Sequence, residues 1–233
     1  MELPDSLPAQ LYLLTYNPDK ERMAGSVASG HLGPALRAAA LLELRRRGRI
    51  VDEDGKVVTV SGARGAGRPG TPAPGGRAMT LDDPLLVRVL EQVEASGRPR
   101  SWKHWIGKDH RQTTRCTRDH LEAGRWLRVD RSRVLGIVAR TAVTVRDPAS
   151  TRRLINDVRR ALRGPTTVDR LDDRDRQLAA LGALAEIQIL AGWRERHALR
   201  ARIGELTASI SPAGPALRRV IQTEKAAHSS GAV

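Results

Sequence analysis

The chain has no phenylalanine, and aromatic residues make up 3% of its 233 positions. Its core must therefore be built from Leu, Val, Ile and Ala. Strands draw on aromatic and β-branched side chains, whereas Leu and Ala favour helix, so a mainly α fold is expected. The length suffices for one sizeable domain with a real core.

Hydrophobic spacing locates the elements. Leu7–Thr15 is a short apolar opening segment that ends at the turn-prone pair Asn17-Pro18. A helix is expected from His31 to Arg47, stopped by Gly48, with arginines in its last turn where the helix dipole favours them. In "LDDPLLVRVLEQVEA", residues 81–95, Leu85, Leu86, Val89, Leu90 and Val93 share one face. A Trp-containing segment, "SWKHWIGK", leads to a basic helix over 109–123. Asp147-Pro148 opens a further helix carrying Leu154, Ile155, Val158 and Leu162, which Gly164-Pro165 ends. Residues 174–204 are the most hydrophobic helical region and are expected at the centre of a bundle. Two hairpins are expected. One is "RIVDEDGKVVTV", with β-branched runs flanking Asp54-Gly55; the other is "GRWLRVDRSRVLGIVARTAVTV". Residues 61–78 are Gly/Pro/Ala/Arg-rich and predict a disordered loop within a single domain spanning 1–225, followed by a frayed tail at 226–233.

Charge narrows the partners. The net charge is +14, and only five of the 40 basic residues are lysine. Arginine suits forked contacts to phosphate, and a charge this large attracts anionic polymers or surfaces. Nucleic acid and anionic lipid headgroups are the two partner classes. The single cysteine, Cys116, forms no disulfide framework within one chain and fits a reducing cytosol. The opening "MELPDSLPAQLYLL" lacks the basic start and long apolar run of a signal peptide. The longest apolar stretch, Leu178–Leu190, is broken by Gly182, Glu186 and Gln188. It is too short to span a bilayer, so membrane contact would be peripheral. The expected location is the cytoplasm, on the cytoplasmic face of a membrane.

No catalytic constellation stands out. The six histidines have no metal-ligand spacing. The run "DRLDDRDR", residues 169–176, alternates charge as a solvated helix start does. A non-enzymatic protein without metal or cofactor is expected.

The arginines are more informative. In "LRAAALLELRRRGRI", residues 36–50, Arg37 falls between Leu41 and Leu44 on the helix surface. A buried guanidinium keeps its proton and must be paired. Glu43 lies too far round the helix, which leaves an Asp or Glu elsewhere in the chain, or an exogenous anion. Arg111, Arg115 and Arg118 follow i, i+4, i+7 and fall within a narrow arc of one helix. That pattern fits either a solvated basic face or an anion site.

Together these pieces resemble the Golgi phosphoprotein 3 family and its bacterial relatives. "LRAAALLELRRRGRI" resembles the family's early L-R helix followed by R-G-R. "LLVRVLEQVEA", "WI" at 105–106, "RCTRDHLEAGRWL", and then "ASTRRLINDVRRAL" and "LDDRDRQLAALGALAEI" resemble later family passages in the same order. The resemblance implies a central helical bundle wrapped by amphipathic helices and loops, with small β-hairpins. It also implies a basic pocket for phosphatidylinositol 4-phosphate, built here by Arg37, Arg115 and Arg118; Arg111, from the helix spacing, and His31, in place of the family's pocket tryptophan, are candidate accessories. Three guanidinium groups clasp a doubly charged phosphate by forked bonds. The family's pocket tryptophan would fall near Ala28, where this chain reads "SVASGH". The membrane-facing hairpin of the family corresponds to "RVLGIVA", with Val134, Leu135, Ile137 and Val138 at its tip.

The expected function is therefore a peripheral membrane protein that binds anionic phospholipid and acts as an adaptor for the cytoplasmic tails of membrane proteins. Self-association into a homo-oligomer fits the hydrophobic hairpins. The alternative is a winged-helix-like nucleic-acid-binding module, made by the helix 109–123 and the hairpin 126–145. Against it, Gln112 is the one amide side chain on that helix available for adenine readout.

Overall fold

The computed structural model describes residues 2–23, 30–60, 81–134 and 138–230, with backbone alone at 131–134, 138–141 and 228–230. Helix α1 (Leu7–Leu13) opens it, capped by Ser6, whose Oγ accepts from the Ala9 amide. The same hydroxyl donates to Asp83 Oδ2 at 2.5 Å, although the two residues are 77 positions apart. Strands β1 (Tyr16–Asn17) and β2 (Arg22–Met23) turn the chain toward α2 (Leu32–Arg46).

Helix α2 is buried at every residue from Leu32 to Leu44. Its alanines at 35, 38, 39 and 40 keep the helix slim, so neighbours approach from several sides. Those neighbours are α1, α3 (Pro84–Glu94), α4 (Trp102–Gly107), α5 (His110–Ala123), α7 (Asp173–Leu184) and α10 (Ala213–Ser230). Gly33 marks the tightest approach: a Cβ there would lie 2.5 Å from the carbonyl oxygen of His110. Only glycine lets the start of α5 sit so close.

The other elements follow the sequence closely. Strands β3 (Ile50–Glu53) and β4 (Lys56–Thr59) pair across Asp54 and Gly55, whose φ angles of 48° and 76° are those of a two-residue type I′ turn. A short strand β5 (Arg100–Ser101) adds to β4. The stripe Leu85, Leu86, Val89, Leu90 and Val93 is the buried face of α3, and Asp83 caps that helix through the Leu85 amide. Strands β6 (Leu127–Val134) and β7 (Val138–Val145) form the second hairpin. Helix α6 (Pro148–Arg163) is capped by Asp147. The fold is mainly α, with 10 helices and small antiparallel strand pairs among the described residues.

One expectation needs correction. Residues 174–204 do not form the central helix. Helix α7 ends at Leu184, Glu186 turns left-handed at φ 56°, and the chain resumes as α8 (Trp193–Ala198) and α9 (Arg200–Ser209). Helix α7 is buried from Gln177 to Ala183, but α2 is the hub. The closing helix α10 runs from Ala213 to Ser230. The low-complexity segment 61–78 and the "SVAS" positions at 26–29 lie outside the described residues.

Candidate functional site

The site begins with Arg37, which is fully buried. Its Nε donates to the main-chain carbonyl of Trp105 at 2.8 Å, and its Nη1 donates to Gln92 Oε1 at 2.9 Å. The Gln92 amide in turn donates to Asp109 Oδ2 at 3.0 Å. A carboxylate thus reaches Arg37 through one intervening amide. The third nitrogen, Nη2, is buried without a hydrogen-bond partner among the described residues. Burial pushes the Arg37 guanidinium down to about 10; Asp109 opposes the shift and Arg88 adds to it. At neutral pH the group remains a cation. Arg88 lies nearby and donates to Gln112 Oε1 at 2.6 Å. Lys108 sits 5.3 Å from the centre of the Trp105 ring, within cation–π range.

Helix α5 turns Thr113, Thr117 and Leu121 inward. Each threonine hydroxyl donates to the carbonyl one turn earlier, so both stay satisfied in the core. The outer side carries the expected arginines. Arg111 is exposed. The Arg115 side chain is 77% exposed, and its Nε lies 3.5 Å from Asp119 Oδ2. Arg118 is half-buried and reaches Asp119 Oδ1 at 3.2 Å through Nη2. Arg118 also faces α1. Burial pushes the Tyr12 hydroxyl up to about 12, and the Arg118 charge pulls against that rise.

Arg115 and Arg118 therefore meet on one carboxylate, Asp119. The hydrogen bonds of Arg37 run instead to α3 and α4. No hydrogen bond or ion pair among the described residues joins Arg37 to either of them.

His31 is buried at the start of α2, with Nδ1 3.7 Å from Glu186 Oε2. Burial works against the Glu186 charge, but the hydrogen bond from Lys225 and the charge of Arg196 outweigh it. The carboxyl accordingly sits below its ordinary range. At the hairpin tip Val134 and Val138 are register partners; Leu135 and Ile137 lie outside the described residues.

Sequence reading missed Gln92, Asp109 and Arg88. Gln92 sits beside the apolar stripe of α3, and Asp109 precedes α5 in a left-handed conformation, at φ 51°. A polar residue flanking an apolar stripe was the available signal for Gln92.

Cys116 lies on α5 among partly buried residues against the core. Burial pushes its thiol up, Asp83 adds to this, and Arg88 opposes it.

Among the described residues no group of three or more His, Cys, Asp or Glu is arranged to hold a metal ion. No described helix is long and apolar enough to cross a membrane. Fold and site thus define a mainly α domain organised round one buried helix, with a buried arginine inside and an arginine row on a neighbouring outer face. The family model of Golgi phosphoprotein 3 (GPP34) matches residues 7–223, which spans the core helices and all the arginines above. The chain belongs to the Golgi phosphoprotein 3 family. Comparison with curated proteins finds no match.

Proposed function

We propose that this protein is a peripheral membrane protein that binds anionic phospholipid headgroups, with phosphatidylinositol 4-phosphate as the family-implied ligand. The observation that carries the reading is the outer face of α5. Arg111, Arg115 and Arg118 stand there in one arc, and Asp119 is the carboxylate that Arg115 and Arg118 share. The excess positive charge suits a phosphate monoester, and arginine binds such a group through paired N–H bonds. Arg37 is the third member of the proposed set. Two of its nitrogens hold the core, and Nη2 is buried without a hydrogen-bond partner among the described residues. Once at the membrane, the protein acts as an adaptor for the cytoplasmic tails of membrane proteins.

The test is vesicle sedimentation. Phosphatidylcholine vesicles carrying phosphatidylinositol 4-phosphate are compared with vesicles carrying unphosphorylated phosphatidylinositol. Selective binding to the first, abolished by Arg115→Ala with Arg118→Ala, supports the reading. Arg37→Lys tests the buried member separately, with a melting curve to establish that the fold survives. Binding by the α5 double variant equal to wild type overturns the assignment. Salt-sensitive binding to duplex DNA without vesicle binding favours the nucleic-acid alternative.

A further inference from the structure

The stretch "WRERHALR", residues 193–200, sets a tryptophan among three arginines where α7 has ended and the chain re-enters helix. Trp193 is 75% exposed and is the one large apolar side chain left in solvent among the described residues. The core makes no use of it. One helical turn later, Arg196 borders a pocket of about 270 Å³ that Arg200, Arg218, Lys225, Glu186 and Ile221 also line.

The charges in this pocket do not cancel. Glu186 is 2.6 Å from Lys225 Nζ and 3.8 Å from Arg196 Nη2, so it answers those two cations. Arg218 makes its described hydrogen bond to a neutral hydroxyl, Thr207 Oγ1, at 3.3 Å. Arg200 is exposed and makes no ion pair among the described residues. Neither Arg200 nor Arg218 is held by a carboxylate among the described residues, and Trp193 stands on α8 one turn before Arg196, which lines the pocket.

We propose that Trp193 and this basic pocket form a membrane-docking face, in which the pocket takes the phosphate of an anionic phospholipid headgroup and the indole lies at the bilayer interface. An indole has an apolar body and one N–H donor, so it partitions to the boundary between headgroups and acyl chains. Arginine pairs with phosphate in forked geometry. A partner that satisfies both must offer dense negative charge directly beside an apolar layer. An anionic bilayer offers both; a nucleic-acid duplex offers the charge without the layer. The proposal rests on the peripheral-membrane reading but not on the arginines of α5, because its residues come from α8, α9 and α10.

The full chain is mixed with vesicles of phosphatidylcholine, with or without phosphatidylglycerol. The charged vesicles are expected to bind the protein and to shift its tryptophan emission to the blue. Trp193→Phe should abolish the shift while retaining most of the binding, and Trp193→Ala should weaken binding. Arg200→Ala with Arg218→Ala should lower the partition coefficient about 25-fold, at about fivefold per cation removed. All these positions are exposed, so unchanged melting curves are expected. Wild-type binding with no change in emission overturns the proposal. So does equal binding by the Trp193→Ala and double-arginine variants, or an emission shift produced by duplex DNA and not by vesicles. Phosphatidylglycerol carries no monoester phosphate, so this outcome is independent of selectivity for phosphatidylinositol 4-phosphate.

Discussion

Arg37 donates from Nε to the carbonyl oxygen of Trp105 at 2.8 Å, which ties the middle of α2 to the short helix α4 across 68 positions of sequence. The bond gives a buried cation a main-chain acceptor where a carboxylate would be usual. It also explains how α4, with only six residues, holds its place: Trp102 and Trp105 pack into the core and a carbonyl in the same helix is pinned. An isolated helix this short is unstable in water, so tertiary contacts must fix it.

Gln92 is the second anchor of Arg37 and its link to Asp109. Replacing it with alanine leaves a buried N–H without an acceptor, which costs about 1–3 kcal/mol. Gln92→Ala should unfold at correspondingly lower urea concentration than wild type with an unchanged slope. A midpoint equal to wild type would show that Nη1 finds another acceptor.

Glu43 is buried and accepts from Arg46 Nη2 at 2.5 Å and Arg47 Nε at 2.7 Å. Burial raises its pKa, but the two arginines outweigh burial and hold the carboxyl below its ordinary value. A depressed folded-state pKa contributes stability above the unfolded carboxylate range, and that stability is lost as pH falls through the folded value. Glu43→Gln should therefore cost roughly 1–3 kcal/mol at neutral pH. The gap from wild type should narrow on acidification. Denaturation curves across the carboxylate range measure it, and a gap that widens in acid contradicts the sign.

Gly33→Ala brings a Cβ within 2.5 Å of the His110 carbonyl oxygen, a backbone atom with no rotamer to yield. The helices α2 and α5 must separate, at a cost of about 1–3 kcal/mol, as in other overpacked interiors. A drop in thermal midpoint is expected, together with faster hydrogen exchange at the start of α5.

Arg115→Ala with Arg118→Ala removes one exposed and one half-buried arginine whose shared partner, Asp119, is itself 44% exposed. Surface ion pairs of this kind contribute about 0–1 kcal/mol, so stability should stay close to wild type. Vesicle binding should fall. Unchanged binding would remove α5 from the lipid site.

Much of this was legible in the residues. The absence of phenylalanine with abundant Leu and Ala foretold a helical core. Asp54-Gly55 foretold its hairpin, and the stripe from Leu85 to Val93 foretold the buried side of α3. The position of Arg37 among leucines announced a cation in need of partners. What sequence could not supply was their identity, because a main-chain carbonyl such as that of Trp105 leaves no trace in composition. The break after Leu184 was hidden for a related reason. It turns on left-handed Glu186, a residue type that rarely signals such a conformation, with no proline nearby to mark it. Exposure of Trp193 was equally invisible, since one apolar residue among arginines looks the same whether it packs or not.

The raised thiol pKa of half-buried Cys116 has a practical corollary. Alkylating reagents attack the thiolate, so the native cysteine is a slow target under conditions that modify an exposed one within minutes. Against that slower thiol, a second cysteine placed in solvent is the preferred target of a label. A nitroxide or fluorophore coupled after Arg200→Cys would report from beside the pocket of α8, α9 and α10, and would read the distance to the bilayer directly.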